Sequence, residues 1–327
     1  MNSRLIEQQR ITFPESFGTR FVLSIDTEEE FDWGGTLSRH DHGTTSVAAI
    51  EDGQRFFARS GVAPLYLVDK PIVDSDLAVD IIGRALADGQ ADVGVHLHPW
   101  VTPPFDEHVN RINSYAGNLP EHVERAKIRT MRDLISARFG RRPVAYRAGR
   151  YGIGPNSFRI LEEEGFLCDS SVRTMFDYRD DGGPDFRWSG HHPHWVGPTQ
   201  KLLEIPLTTM FIGHFGRIGR KFYGMAGHIS RMRGILARSG IVERIPFTPE
   251  GVPANKMPEA IDSALDIGIR LLSFSFHSPS LAIGHTPYVR SQSDLDQFYR
   301  WWDVTFNHCA KRGVMPTTVG DVLQATQ

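Results

Sequence analysis

The chain has 327 residues and a formal net charge of −3, and so small a charge argues against a general affinity for nucleic acids or anionic membranes. Its hydrophobic content of 40% is enough for one large α/β domain or two smaller ones. The two cysteines, Cys168 and Cys309, are far apart, and we expect both to be reduced and structural. The N-terminal residues lack the apolar run of a secretory signal, and no stretch reaches the ~18 apolar residues of a membrane span. These features predict a cytoplasmic protein.

Strand-like and helix-like hydrophobic patterns alternate along the chain. The patterns predict strands at 20–26, 62–68, 92–97, 143–147, 166–169, 203–210, 241–246 and 269–276. They predict helices at about 46–60, 74–88, 120–138, 155–164, 256–267 and 291–312. Alternation of this kind favours a mostly parallel sheet, and seven or eight strands over this length suit a barrel.

Three segments interrupt the alternation, at 99–119, 172–201 and 205–242. Residues 1–17 are predicted to form a loosely held tail, and residues 18–327 one catalytic domain. Long loops are predicted at 99–119 and 172–201, and loops of this length in a compact domain usually have a function. Both loops follow strands, so we expect them on the face of the sheet where the carboxyl ends of the strands meet.

The first predicted strand ends in a cluster of carboxylates, within the sequence S-I-D-T-E-E-E at 24–30. An unpaired buried charge is costly, so packing alone does not explain the cluster. Side chains alternate along a strand, which places Asp26 and Glu28 on one side and Thr27 and Glu29 on the other. Asp26 and Glu28 are therefore candidates for one general base and one metal ligand, and Glu29 for a turn or supporting role.

Other strands end in residues that suit the same chemistry. His96 and His98 also share one side of a strand end, and with a carboxylate pair they form a ligand set for a divalent metal such as zinc. Arg147 could pair with a catalytic carboxylate and keep its pKa low, and His277 could donate a proton to a leaving group. Taken singly, each could instead be a surface or core residue. Asp69 could contact substrate or cap the following turn.

The order of these strand ends resembles that of the polysaccharide deacetylases, carbohydrate esterase family 4, which share the NodB homology domain. The matching segments are S-I-D-T-E (24–28), H-L-H-P (96–99), R-A-G-R-Y (147–151), C-D-S-S (168–171) and S-F-S-F-H (273–277). The resemblance covers nearly the whole chain. It implies an α/β fold with a distorted (β/α)7-type barrel, the NodB-like glycoside hydrolase/deacetylase fold.

The resemblance also implies metal-dependent hydrolysis of an N-acetyl group or a related amide. Glu28, His96 and His98 would hold a divalent metal, with zinc as the expected ion. Asp26 would take the proton of the attacking water, and Arg147 would orient Asp26. The sequence departs from the family at Thr27, where the family has an aspartate, and in its H-x-H spacing. One histidine could therefore be free, with Glu29, Glu30 or Asp32 recruited in its place.

On the leaving-group side, the resemblance implies that His277 protonates the departing amine and that Asp169 supports His277. Trp100, Tyr151 and Trp188 are candidates for the aromatic wall of a sugar site, although plain packing would also explain each of them.

These observations predict a hydrolase that deacetylates an N-acetylated sugar of a surface polysaccharide or its precursor. One alternative is an amidohydrolase acting on a non-carbohydrate C–N bond, as in allantoinase-like relatives. Another is a catalytically inactive barrel that binds carbohydrate.

The segment 205–242 has no acidic residue and interleaves basic side chains with aromatic and apolar ones. Such a segment could contact a membrane surface through residues 211–238, bind the phosphates of a nucleotide- or lipid-linked sugar, or join two subunits. An ordinary pair of surface helices would have the same composition.

Overall fold

The computed structural model describes residues 10–213 and 243–326. The strands are β1 (Thr19–Thr27), β2 (Leu65–Val68), β3 (Asp92–Leu97), β4 (Ala145–Ala148), β5 (Cys168–Asp169), β6 (His194–Val196), β7 (Leu202–Glu204), β8 (Thr209–Ile212), β9 (Glu243–Pro246), β10 (Leu271–His277) and β11 (Val314–Pro316). The α-helices are α1 (Ile50–Arg59), α2 (Lys70–Asp74), α3 (Asp76–Ala87), α4 (Glu121–Phe139), α5 (Ser157–Glu163), α6 (Met257–Asp266), α7 (Gln292–Lys311) and α8 (Val319–Gln324).

The main sheet is mostly parallel, as the alternating pattern predicts. Its strand order is β10-β1-β2-β3-β4-β5-β7-β6, and β11 also pairs with β1. Within this sheet only the β6–β7 pairing is antiparallel. The register places Asp26 beside His277 and His96 beside Arg147. Because parallel strands end at the same edge, the sheet brings these four residues to one side of the molecule.

A separate antiparallel pair, β8 and β9, lies next to β10. The backbone N–H of Thr208 donates to the carbonyl oxygen of Ser273 (3.3 Å), and that of Ser275 donates to the carbonyl oxygen of Phe247 (3.1 Å). By strand pairing alone the main sheet is open, with β10 at one end. The two hydrogen bonds connect β10 to the segment that follows β7.

The hydrophobic core lies between the sheet and the helices that cover it. Leu23 and Ile25 of β1 are buried, and so is Phe274 of β10, which lies beside Leu23 in the sheet. Trp302 of α7 is fully buried and contacts Phe57 of α1 edge-to-face, with ring centroids 5.5 Å apart. These contacts fix the positions of β1 and β10, which carry two of the predicted catalytic residues.

The prediction of a loose tail does not hold for residues 10–17. Ile11, Phe13 and Phe17 are buried, and the rings of Phe13 and Phe17 stack 4.1 Å apart. They join a cluster with Leu65 and Leu271, the first residues of β2 and β10. The apolar side chains of this segment are thus removed from water by covering the amino ends of the strands.

The loop at 99–119 is held by a buried cation, Lys127 of α4. Its Nζ donates to the carbonyl oxygens of Pro99 (3.0 Å), Thr102 (2.5 Å) and Pro104 (2.6 Å) and lies 3.1 Å from a carboxylate oxygen of Glu107. These contacts offset the cost of burying the ammonium group, and they hold the loop in one conformation.

None of the helices in the described parts of the chain combines the length and apolar character that crossing a bilayer requires. Residues 214–242, which carry most of the basic segment, lie outside the described residues. Membrane or phosphate contact through residues 211–238 therefore stays a prediction.

Candidate active site

The carboxyl ends of β1, β3 and β10 open onto one cavity of about 510 Å³. Its lining includes Asp26, Glu28, His96, His98 and His277. Residues that lie as much as 251 positions apart in sequence thus meet in one place, because parallel strands deliver their ends to the same edge.

Asp26 is buried and held by Arg147, which is also fully buried. Nη1 of Arg147 donates to Asp26 Oδ1, and Nη2 donates to Ser24 Oγ (2.8 Å) and Ser170 Oγ (2.9 Å). Nε donates to the carbonyl oxygen of Ser170 (2.7 Å). Burial alone would raise the pKa of Asp26, but Arg147 and two nearby histidines outweigh it and lower the pKa. Asp26 is therefore ionised at neutral pH, as a general base must be.

Glu28, His96 and His98 converge beside Asp26. Nε2 of each histidine lies 3.3 Å from Glu28 Oε2, and the candidate ligand atoms of the three residues all lie within 4.8 Å of one another. Burial alone would raise the pKa of Glu28, but the surrounding histidines lower it and keep the carboxylate charged. Among the described residues, Glu28 Oε1 and His96 Nδ1 have no hydrogen-bond partner. Two imidazoles and a carboxylate with an unused oxygen fit a divalent metal of the zinc type.

Glu29 supports His98 from the other side of the imidazole ring. Its Oε2 lies 2.7 Å from His98 Nδ1, and its Oε1 accepts a hydrogen bond from Trp100 Nε1 (2.8 Å). Burial alone would raise the pKa of Glu29, but His98 and the hydrogen bonds lower it to about 2. A carboxylate at Nδ1 fixes the ring so that Nε2 faces Glu28. The H-x-H spacing thus lets both histidines reach Glu28, and Glu29 occupies a supporting place.

The R-A-G-R-Y segment approaches this group closely. A Cβ atom on Gly149 would lie 2.3 Å from a ring carbon of His98, so only glycine fits there. The next two residues, Arg150 and Tyr151, both have left-handed backbone conformations, with φ of 56° and 60°. Such a conformation costs non-glycine residues energy, and it is typical of functional sites. Tyr151 lines the cavity, where the sequence places it.

His277 is held by Glu250, a residue that the sequence reasoning missed. His277 Nδ1 lies 2.7 Å from Glu250 Oε2, and the backbone N–H of His277 donates to Glu250 Oε1 (3.1 Å). His277 Nε2 lies 3.8 Å from Asp26 Oδ2. Burial alone would lower the pKa of His277, but Glu250 and the other carboxylates raise it to about 9. The imidazolium form at neutral pH suits a proton donor.

The predicted support of His277 by Asp169 is wrong. Asp169 is buried, accepts a hydrogen bond from Ser171 Oγ (2.6 Å), and lies beside Glu204 of the neighbouring strand. Glu250 follows β9 in a turn with no hydrophobic period, and the only sequence signal for it was an isolated acid after a strand.

Three of the predicted substrate contacts are not supported by the structure. Trp100 is 2% exposed and its ring stacks on His98 with centroids 4.2 Å apart, so it supports a candidate ligand. Trp188 is 46% exposed and lies outside the cavity lining. Asp69 is buried and caps α2, accepting from the backbone N–H of Ile72 (3.0 Å) and of Glu29 (2.8 Å).

Other aromatic residues line the cavity instead. Trp33 contacts His277 edge-to-face, with ring centroids 4.7 Å apart, and Tyr288 lies 5.9 Å from Trp33 by the same measure. Tyr178 also faces the cavity, from the long loop at 172–201. These residues come from loops, where no period marks which side chains point inward.

No protein-family model and no curated protein matches this chain. Among solved structures, it is similar to a protein assigned as a polysaccharide deacetylase from Mycobacterium smegmatis, with 15% identity, a TM-score of 0.53, and coverage of 97% of this chain and 93% of that one. A protein with the same assignment from Pseudomonas aeruginosa PAO1 has 15% identity and a TM-score of 0.52, with coverage of 95% and 92%. The Puue allantoinase has 16% identity and a TM-score of 0.52, with coverage of 94% and 88%. The resemblance to the polysaccharide deacetylases is thus confirmed for the fold.

Proposed function

We propose that this protein is a metal-dependent hydrolase that removes the acetyl group from an N-acetylated sugar of a surface polysaccharide or its precursor. The observation that carries the proposal is one cavity lined by a metal-type donor set, an ionised aspartate and a protonated histidine. The fold shared with the solved structures assigned as polysaccharide deacetylases supports it.

Glu28, His96 and His98 are the residues that would hold the metal, and their donor set suits zinc. When bound, the metal supplies Lewis-acid stabilisation of the amide oxygen and lowers the pKa of a water molecule. Glu29 keeps the His98 ring in the orientation that such binding needs.

Proton transfer is assigned to the two groups on the other side of the cavity. Asp26 accepts the proton of the attacking water, and Arg147 keeps Asp26 ionised and correctly oriented. His277 donates the proton on Nε2 to the departing amine nitrogen, and Glu250 stabilises the imidazolium until then. Asp26 and His277 thus act as a base and an acid whose pKa values lie on opposite sides of neutrality.

The cavity itself favours a sugar. Aromatic rings such as Trp33, Tyr151 and Tyr288 line it together with polar groups, and a few aromatic faces with placed polar atoms suit the alternating apolar and hydroxyl faces of a pyranose. Its volume of about 510 Å³ admits more than one small ring.

The test is metal analysis of the purified protein together with acetate release from a panel of N-acetylated mono- and oligosaccharides. We expect one bound divalent ion, acetate release that stops on chelation, and recovery on adding zinc. A protein that binds the metal and releases no acetate from any member of the panel contradicts the proposal.

A second candidate is hydrolysis of a small non-carbohydrate C–N bond. It is favoured by the likeness to the Puue allantoinase, whose TM-score equals that of one of the deacetylases. Allantoin belongs in the same substrate panel. Ring opening of allantoin without acetate release from N-acetyl sugars would favour this candidate.

A further inference from the structure

We infer that the cavity accepts a substrate with an anionic group, a carboxylate or a phosphate, and that Arg173 binds this group. The inference rests on the proposed function, because it names the class of N-acetylated sugar that the same cavity would take. It starts from the balance of charges around the cavity.

Two of the acidic groups that line the cavity already have cationic partners. Asp26 is paired with Arg147, and Glu250 is paired with His277 at 2.7 Å. Neither carboxylate is available to neutralise a further cation on the cavity wall.

A third acid, Asp181, forms ion pairs with two arginines at the cavity rim. Its Oδ1 lies 3.0 Å from Arg111 Nη1, and its Oδ2 lies 3.6 Å from Arg150 Nη2. Arg150 also lies over the ring of Tyr115, with Cζ 4.3 Å from the centroid. Two positive charges and one negative charge leave this part of the lining positive.

Arg173 also lines the cavity, and within residues 10–213 and 243–326 it forms no ion pair with a carboxylate. The segment 214–242 cannot supply one, because it contains neither Asp nor Glu. Arginine cannot lose its charge at any ordinary pH. A permanent cation on a cavity wall, with no carboxylate partner among the described residues, is therefore matched to a negative ligand.

Arg173 is also held in a fixed position. Its Cζ lies 4.9 Å from the ring centroid of Tyr151 and 4.1 Å from that of Phe176, and Nη1 donates to the hydroxyl of Tyr178 (3.1 Å). Among the described residues this is its one side-chain hydrogen bond, and it uses one of the five N–H donors of the guanidinium. The aromatic rings hold the guanidinium in place, and its unused N–H donors are pre-organised to bind an oxyanion.

The comparison between Arg147 and Arg173 supports this reading. Arg147 makes four hydrogen bonds to Asp26, Ser24 and Ser170, so its binding capacity is used inside the protein. Within the described parts of the chain Arg173 has one, to Tyr178, which leaves N–H donors for a ligand.

The experiment uses calorimetry to measure binding to the full chain with its metal, in an Asp26→Asn background that slows turnover. The probes are N-acetylglucosamine and its 1-phosphate, 6-phosphate and 3-O-lactyl derivatives. We expect at least one anionic sugar to bind about tenfold more tightly than the neutral sugar. Arg173→Met should reduce this preference to about twofold or less, and Arg173→Lys should retain part of it.

The matched control is Arg55→Met, which removes an exposed arginine of α1 that pairs with Asp52 outside the cavity. It should leave the preference unchanged. Thermal unfolding checks the fold of each variant, and if Arg173→Met unfolds, Arg173→Lys decides through its reduced preference. Equal binding of neutral and anionic sugars, or an unchanged preference in the Arg173 variants, would overturn the inference.

Acetate release by the unsubstituted enzyme separates this inference from the proposed function. Equal kcat/KM for neutral and anionic N-acetyl sugars would leave the deacetylase standing and remove the anion site. If anionic sugars bind through Arg173 and none of them releases acetate, the anion site stands and the deacetylase proposal is contradicted.

Discussion

The strand ends and the loops supply the cavity with side chains that are held to different degrees. Arg147, at the end of β4, is completely buried and makes four hydrogen bonds. Arg173, on the loop that follows β5, is only half-buried and makes a single side-chain hydrogen bond to the residues that the structure describes. The same residue type therefore serves two purposes: one orients a carboxylate within the protein, and the other is available to a ligand.

The contrast extends to the carboxylates, with one exception. Asp26, Glu28 and Glu29 lie on or directly after β1 and are almost completely buried. Glu250 comes from a loop, yet it is held as firmly, since it binds His277 and accepts a hydrogen bond from Ser280 Oγ (2.6 Å). Under the function proposed above, the strand ends carry most of the chemistry. The loops supply Arg173 as the inferred anion contact and Glu250 as the partner of the proposed proton donor.

The largest effect is expected at a strand end. Asp26→Asn removes the base while keeping its shape, so kcat should fall by about 10²–10⁴-fold, with metal content unchanged. Steady-state kinetics with metal analysis checks this. Asp52→Asn, which changes an exposed acid of α1, is the control and should behave as the unsubstituted enzyme. A loss of less than about tenfold for Asp26→Asn would mean that the base lies elsewhere.

The next effect concerns the support of a candidate ligand. Glu29→Gln removes the carboxylate at His98 Nδ1, and metal affinity should fall by about 10–100-fold. Chelator competition measures the affinity. Glu30→Gln is a control from the adjacent position, because Glu30 binds Thr45 and Ser46 instead. Equal loss of affinity in both variants would remove the special role of Glu29.

A smaller effect distinguishes Glu250 from Asp169. The pKa of His277 is raised to about 9 by nearby carboxylates, Glu250 first among them. The proton donor is therefore present below this pH and lost as the pH rises through it. Glu250→Gln should move the titration of the His277 ring to lower pH by about one unit or more, and the alkaline limb of activity should move in the same direction.

Nuclear magnetic resonance of the metal-free protein reports the ring titration directly. Asp169→Asn should leave the titration of His277 in place, because Asp169 bonds to Ser171 instead. A shift of equal size in the two variants would restore Asp169 as the partner.

The smallest effects are expected for the aromatic residues. Trp33→Ala removes a ring that contacts His277, and KM should rise by about three- to tenfold. Trp188→Ala removes an exposed ring outside the cavity lining, so KM and kcat should change by less than about twofold. A larger effect of Trp188→Ala than of Trp33→Ala would show that substrate extends over the loop at 172–201.

Most of the fold was accessible from local patterns. Within the described residues, each of the six predicted helices lies near an observed one, and so do the predicted strands that carry the candidate catalytic groups. The predicted strand at 203–210 is in fact β7 and β8, separated by a segment with Pro206, which cannot donate to a strand ladder. The strands β6 and β11, of three residues each, were missed because so short a segment shows no period.

For the site, local chemistry was enough wherever a residue ends a strand. The alternation of side chains along β1 placed Asp26 and Glu28 on one side, and both line the cavity together with His96, His98 and His277. Parallel strands end at a common edge whatever the loops do, so these residues had to meet.

Three features followed only from the three-dimensional arrangement: the pairing of Glu250 with His277, the stacking of Trp100 on His98 and the place of Arg173 on the cavity wall. Each depends on the path of a loop or on contacts between distant residues, and no periodic pattern encodes either. The D-T-E-E-E run therefore predicted where the candidate chemistry lies, while the folding of the loops assigned the partners and the candidate substrate contacts.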